Sequence, residues 1–329
     1  MKYFQSLALM ALLIATSFTM PENLSRVNQV KLKGFRIMVI SDLNAGYGDT
    51  TYSRDVADVM ARIPSLKPDL ILCGGDMVAG QKATLTEKNI LAMWRNFDRS
   101  VLKPIAALNI PFGFTLGNHD GSPNFKLDRE MAKQFWTKNK ADTHLDFVDS
   151  SHYPFYFSYI KQNVFMMSWD ATGAKVPQEV YDWMKVQLGT PIAKKARLRI
   201  LLGHLPLYAI VASKNKPGEV NANADSALNF FKENGIDLYI SGHQHAYFPA
   251  HKNGVQLLNL GCIGDGPRPI LGHQEPAKKA FTIIEIPAKS PKNFTYHTWM
   301  PTSPTELKLE SLPDSIVGFN GTVRRRDKM

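Results

Sequence analysis

Eight short apolar runs constrain what this chain can fold into: Ile37 to Ile40, Leu70 to Cys73, Phe112 to Leu116, Val164 to Trp169, Leu198 to Leu202, Leu238 to Ile240, Val255 to Leu260 and Phe281 to Ile286. Several are too uniformly apolar to have a wet face, so they predict strands covered on both sides. Stretches of helical period lie between them. Ser53 opens one that carries Val56, Val59, Met60 and Ile63 and that Pro64 should stop. Ile90, Met93, Trp94, Phe97 and Val101 mark a second, and Val180, Trp183, Met184 and Gln187 a third. Ala224, Ala227, Leu228 and Phe231 mark a fourth, closed by Gly235 at a C-terminal cap. This alternation predicts an α/β architecture with helices outside the sheet.

With 329 residues, 44% hydrophobic and 21% charged, the chain can bury a large core. We read residues 30–300 as one domain and residues 301–329, with Pro301, Pro304 and Pro313, as an irregular tail. The net charge of +10 suits an anionic partner. No block of five basic residues occurs, and the densest run, Arg324-Arg325-Arg326, reads as a solvated tail. With no basic stripe interleaved with aromatics, nucleic acid is not the expected partner. The start, with Lys2, an apolar stretch from Leu7 to Ile14 and then Ala15-Thr16-Ser17, predicts a signal peptide over residues 1–19. Export to a periplasm or secretion follows, or a membrane anchor if the segment is retained. Cys73 and Cys262 sit in or after apolar runs and read as buried thiols rather than a disulfide framework.

The chemistry is concentrated where the runs end, since open α/β sheets place ligands at the C-terminal ends of their strands. RIMVISD ends on Asp42 with Asn44 beyond it, and DLILCGGD ends on Asp76. PFGFTLGNHD ends on Asn118-His119-Asp120, RLRILLGHLP on His204, and IDLYISGHQH on His243 and His245. Glycine precedes the polar residue, or the Asn-His pair, in four of the five. A glycine there lets the backbone turn sharply and approach a ligand closely. Carboxylate, amide oxygen and imidazole form the ligand set of Mn, Fe or Zn. One ion takes about four protein ligands, so seven such groups suggest two metals roughly 3.5 to 4 Å apart, sharing a carboxylate.

The series D-x-N, G-G-D, G-N-H-D, G-H and G-H-x-H, in this order over residues 36 to about 270, resembles the calcineurin-like metallophosphoesterase superfamily. Purple acid phosphatases and cyclic-nucleotide phosphodiesterases are relatives within it. The resemblance implies a four-layered α-β-β-α fold, a β-sandwich flanked by helices. It implies a first metal held by Asp42, Asn44, Asp76 and His245, and a second held by Asp76, Asn118, His204 and His243. His119 would lie over the substrate and protonate or stabilise the leaving oxygen, with Asp120 orienting it. The implied reaction is hydrolysis of a small phosphomonoester or phosphodiester by a water or hydroxide on the metals.

Two positions depart from the family pattern. Asn44 stands where most members have His, and Ala79 where purple acid phosphatases have a tyrosine ligand. Tyr47 reads as a packing or substrate-wall residue, and Asp170 as support for a neighbouring loop. Gln81 and Arg268 are weaker candidates for touching the substrate phosphate, with turn or surface roles competing. A nuclease, and a metal-binding scaffold that has lost catalysis, are the alternative functions.

Overall fold

The computed structural model describes residues 33–328, so the expected signal peptide lies outside the described residues. The strands are β1 (Phe35–Ile40), β2 (Leu70–Cys73), β3 (Phe112–Phe114), β4 (Phe147–His152), β5 (Tyr156–Lys161), β6 (Val164–Ser168) and β7 (Leu198–Leu202), followed by β8 (Leu238–Ser241), β9 (Phe248–Lys252), β10 (Val255–Asn259), β11 (Phe281–Ile286), β12 (Thr295–Trp299), β13 (Ser315–Gly318) and β14 (Gly321–Arg325). They form a five-stranded sheet in the order β12-β11-β1-β2-β3 and a nine-stranded sheet in the order β13-β14-β9-β10-β8-β7-β6-β5-β4. All eight expected runs are strands in these sheets.

Residue alternation explains why several of those runs are apolar throughout. Along β6, Val164 and Met166 enter one core while Phe165 and Met167 enter another. Leu238 and Ile240 of β8 likewise face the first core, and Tyr239 the second. The first core lies between the sheets and also takes apolar residues from α1 (Arg54–Leu66), α2 (Glu87–Phe97) and α3 (Lys126–Lys138). The second lies beneath α4 (Gln178–Gly189) and α5 (Ala224–Glu233). Two mixed sheets flanked by helices thus give the expected layered α/β fold.

Three sequence expectations need correction. Pro64 lies inside α1, which continues to Leu66 and ends where Lys67, left-handed at φ 49°, returns its N–H to Ile63. The tail is not irregular. Its prolines are confined to the connection, and β13 and β14 form a hairpin closed by the two-residue loop Phe319-Asn320, with Asn320 at φ 73° and Gly321, which opens β14, at φ 119°. Two-residue loops are the commonest hairpin connection, and β14 then adds to β9, with Arg324 opposite His251. Finally, the arginine run is not simply solvated. Arg325 is 2% exposed and pairs with Asp314 at 3.1 Å and Asp327 at 2.6 Å.

Cys73 and Cys262 are buried free thiols, as expected. Among the described residues no helix is long and apolar enough to cross a membrane. For function, the important feature is that β1, β2 and β3 run parallel in one sheet and β7 and β8 parallel in the other. Their carboxyl ends deliver all the strand-end groups to one place.

Candidate metal centre

The strand ends are held in uncommon backbone conformations. Asp42, Asp76, His243 and His245 have φ of 51°, 52°, 68° and 55°. This left-handed region costs a non-glycine residue of order 1–3 kcal/mol and persists only where the surroundings impose it. Here they do: the Asp42 N–H donates to the Gly75 carbonyl at 3.0 Å, and that of Leu43 to Asp76 at 2.9 Å. The end of β3 then approaches so closely that a Cβ on Gly117 would lie 2.1 Å from Asp76 Oδ1. Only glycine fits there.

Two triads result, Asp42-Asp76-His245 and Asp76-His204-His243, each with potential ligand atoms within 4.8 Å of one another and every residue buried. Asp76 belongs to both. Every histidine has one ring nitrogen fixed by an acceptor and the other turned inward. His204 Nδ1 donates to the Gly74 carbonyl at 2.7 Å, and its Nε2 lies 3.2 Å from Asp76 Oδ2. His245 Nδ1 donates to the Gly266 carbonyl at 2.9 Å, and its Nε2 lies 3.1 Å from Asp42 Oδ1. His243 Nε2 donates to Glu219 at 2.8 Å, while its Nδ1 lies 2.8 Å from Asn118 Oδ1. Fixing one nitrogen sets the tautomer and aims the other, as in metal-binding histidines.

Amide orientation follows the same pattern. Asn118 Nδ2 donates to Gln81 Oε1 at 2.6 Å, which turns Oδ1 towards His204 and His243. Gln81, a candidate for touching phosphate, thus first orients Asn118. Asn44 is 6% exposed and its Oδ1 has no hydrogen-bond partner. A buried acceptor without a partner costs about 1–3 kcal/mol, and a metal beside it would satisfy it. The donor set therefore fits metal, with the Asn44 amide oxygen as part of it.

A test follows. Asn44→His should bind metal more tightly than the wild type in a chelator-competition titration, imidazole being the stronger donor. Asn44→Leu should bind it more weakly, yet raise the melting temperature of the metal-free protein by removing the unpartnered oxygen. Unchanged affinity in both variants removes Asn44 from the ligand set.

The electrostatics are dominated by the shared carboxylate. Burial works to raise Asp76, but His204 and His119 hold it below the usual carboxylate range. Burial works to lower His204, and Asp76 outweighs it, raising the imidazole to about 9. His243 goes the other way, held well below its ordinary value by burial, Lys214 and His204.

His119 lies beside this cluster. Its Nδ1 donates to the Gly80 carbonyl at 3.1 Å, its Nε2 is 4.0 Å from Asp76 Oδ2, and the Tyr47 ring packs at 4.9 Å. Asp120 does not orient it, contrary to expectation. Its carboxylate turns away and accepts the backbone N–H groups of Met77, Val78 and Gly117 at 2.8, 2.9 and 2.8 Å. The turn Asn118–Gly121 is helical, so neighbouring side chains diverge. Asp120 ties the second strand end to the third, and Gly80 does the orienting.

An open cavity of about 770 Å³ lies above His119, Asn118 and His243, with Tyr47, Gln81 and Arg268 in its walls. Ala79 is buried, so no tyrosine ligand arises there. Asp170 supports a loop, accepting from Thr172 Oγ1 at 2.8 Å and pairing with Arg129. Sequence reasoning missed Lys214 and Glu219. Lys214 Nζ sits 3.1 Å from both ring nitrogens of His243 and 3.6 Å from Glu219 Oε2. Both belong to the motif-free segment after β7, and only the fold brings them over His243.

No curated protein matches the chain. Among solved structures, the purple acid phosphatase PPD1 from yellow lupin (Lupinus luteus) seeds aligns with a TM-score of 0.62 at 13% identity, covering 84% of this chain. This chain spans 53% of the length of that phosphatase. GAP50, the anchor in the inner membrane complex of Plasmodium, aligns with a TM-score of 0.52 at 14% identity, covering 84% of this chain and 87% of its own. At such identities the likeness is one of fold. The sequence itself goes further: a family model, calcineurin-like phosphoesterase, matches residues 35–247, from the first strand to just past the last histidine of the cluster, and the chain belongs to that family.

Proposed function

We propose that the protein is a two-metal hydrolase of small phosphoesters. The observation that carries this reading is the pair of buried triads sharing Asp76, reached from an open cavity through His243 and its neighbours Asn118 and His119. Asp42, Asn44, Asp76 and His245 would hold one metal, and Asp76, Asn118, His204 and His243 the other. Mn, Fe or Zn bound there would supply Lewis acidity towards the phosphoryl oxygens and activate water near neutral pH. The chain's own residues do the rest. Gly80 keeps Nδ1–H of His119 occupied, so that Nε2 faces the leaving oxygen and donates its proton to it from the imidazolium, leaving the neutral ring still held by Gly80. Tyr47 limits movement of that ring, and Arg268 and Lys214 favour an anionic substrate at the cavity wall.

The test is to strip the protein with chelator, add back Mn, Fe or Zn singly and in pairs, and assay p-nitrophenyl phosphate and bis(p-nitrophenyl) phosphate. Turnover of either ester that returns with metal is expected. No turnover of either with any metal overturns the reading and favours the scaffold alternative. That alternative is motivated by Asn44, and GAP50 is described as an anchor on a similar fold.

A further inference from the structure

Asn118, His119 and His243 account for one side of the cavity, but not for the cations beside His243. The Lys214 side chain is 12% exposed, and its ammonium is directed at the His243 ring rather than at solvent. Its carboxylate neighbour Glu219 already accepts from His243 Nε2, so the ammonium is only partly neutralised. Arg268 stands on the same cavity wall. Asp265, three residues earlier, is engaged by Lys279 at 3.3 Å and not by Arg268. Lys175 adds a third cation to the lining, against the one carboxylate of Glu219.

We propose that Lys214, assisted by Arg268, binds the third non-bridging oxygen of a dianionic phosphoryl group and so makes the site selective for phosphomonoesters over phosphodiesters. This rests on the hydrolase reading and narrows it. A monoester phosphoryl group carries about −1.5 to −2 charge at neutral pH and three acceptor oxygens. If metals held by the two triads took up oxygens of that group, an oxygen left over would still need a donor from the chain itself. In a diester that position holds an esterified oxygen, a poorer acceptor, and the group carries a single charge. Cations beside the second triad therefore reward the monoester, whereas a diester would offer the partly neutralised ammonium only a poor acceptor. The cavity is large enough for both, so charge discriminates here rather than size.

The experiment compares kcat/KM for p-nitrophenyl phosphate and bis(p-nitrophenyl) phosphate in the metal-loaded wild type, Lys214→Met, Lys214→Arg and Arg268→Gln. The wild type should prefer the monoester. Lys214→Met should lower the monoester-to-diester ratio about ten- to a hundredfold, the worth of one charge-assisted hydrogen bond. Lys214→Arg should restore part of the ratio, and Arg268→Gln should lower it less. Elemental analysis should show the same metal content throughout. Calorimetry with inorganic phosphate and dimethyl phosphate gives a second readout, independent of turnover. The metal-loaded wild type should bind phosphate at least about tenfold more tightly, and Lys214→Met should lose that preference. A wild type that prefers the diester, or a Lys214→Met variant whose ratio and phosphate preference are unchanged, overturns the proposal. Loss of metal in Lys214→Met with the ratio unchanged in Arg268→Gln also overturns it, because Lys214 would then serve His243 alone. A Lys214-dependent phosphate preference without turnover of any ester supports the subsite and sinks the hydrolase reading.

Discussion

Asp76→Asn is expected to leave the fold intact, remove both metals and lower turnover of p-nitrophenyl phosphate by at least about 10³-fold, the upper end of what one electrostatic contact to a transition state supplies. The change is nearly isosteric. Asn can still accept the His119 N–H that now meets Asp76 Oδ1 at 2.9 Å, so the turn after β3 keeps its anchor. What disappears is the negative charge common to both triads. A neutral amide cannot hold two cations close together, because their mutual repulsion at roughly 4 Å needs an anion between them. His245→Ala is the contrasting variant, since its Nε2 faces Asp42 alone and its loss should weaken one metal and spare the other. Metal per chain by elemental analysis, circular dichroism and turnover decide the matter. If Asp76→Asn retains one metal at wild-type affinity, Asp76 is not shared and the triads are independent.

How much of this was legible in the sequence depends on which contacts are local. The eight runs were legible as strands because most of their residues are buried on both faces, with Arg199, Gln256 and Glu285 as partly exposed exceptions, and a short apolar run carries that signal. β4 was missed because its residues are half-buried or exposed at a sheet edge, with polar Asp149, Ser150 and Ser151 in the middle. β9 was missed because Pro249 and a short mixed run argue against a strand, although it pairs along its length with β10. Asn320-Gly321 was a readable turn signal, passed over beside the prolines of the tail, although the loop itself is Phe319-Asn320.

In the site, the identities of the strand-end residues were legible because their chemistry is unusual for apolar strands. Their supports were not. His204 is fixed by a carbonyl 130 positions away, and Asn118 by an amide 37 positions away, so only the folded chain reveals either. Adjacency misled at Asp120, whose side chain leaves the site at the turn that brings His119 into it. The left-handed backbone at Asp42, Asp76, His243 and His245 had no sequence signal of its own, since Asp and His tolerate that region without requiring it.

That separation of His119 from Asp120 leads to the second large effect. His119→Ala should cut turnover about 10²–10⁴-fold, the usual worth of a positioned general acid, with metal content unchanged. The loss should be greater for an alkyl phosphate than for p-nitrophenyl phosphate, because p-nitrophenolate departs without a proton and an alkoxide does not. Stability should barely move, since the ring makes one hydrogen bond, to the Gly80 carbonyl. Asp120→Ala should behave in the opposite sense. It leaves the N–H groups of Met77, Val78 and Gly117 buried without an acceptor, at about 1–3 kcal/mol each. Its melting temperature should fall sharply, and the surviving folded protein should keep the wild-type dependence on leaving group. Two neighbouring residues then separate cleanly, one acting on the departing oxygen and one tying together the strand ends that would hold metal. If His119→Ala instead strips the metals, or lowers both substrates equally, the ring supports the floor as well and the proton must come from elsewhere in the cavity.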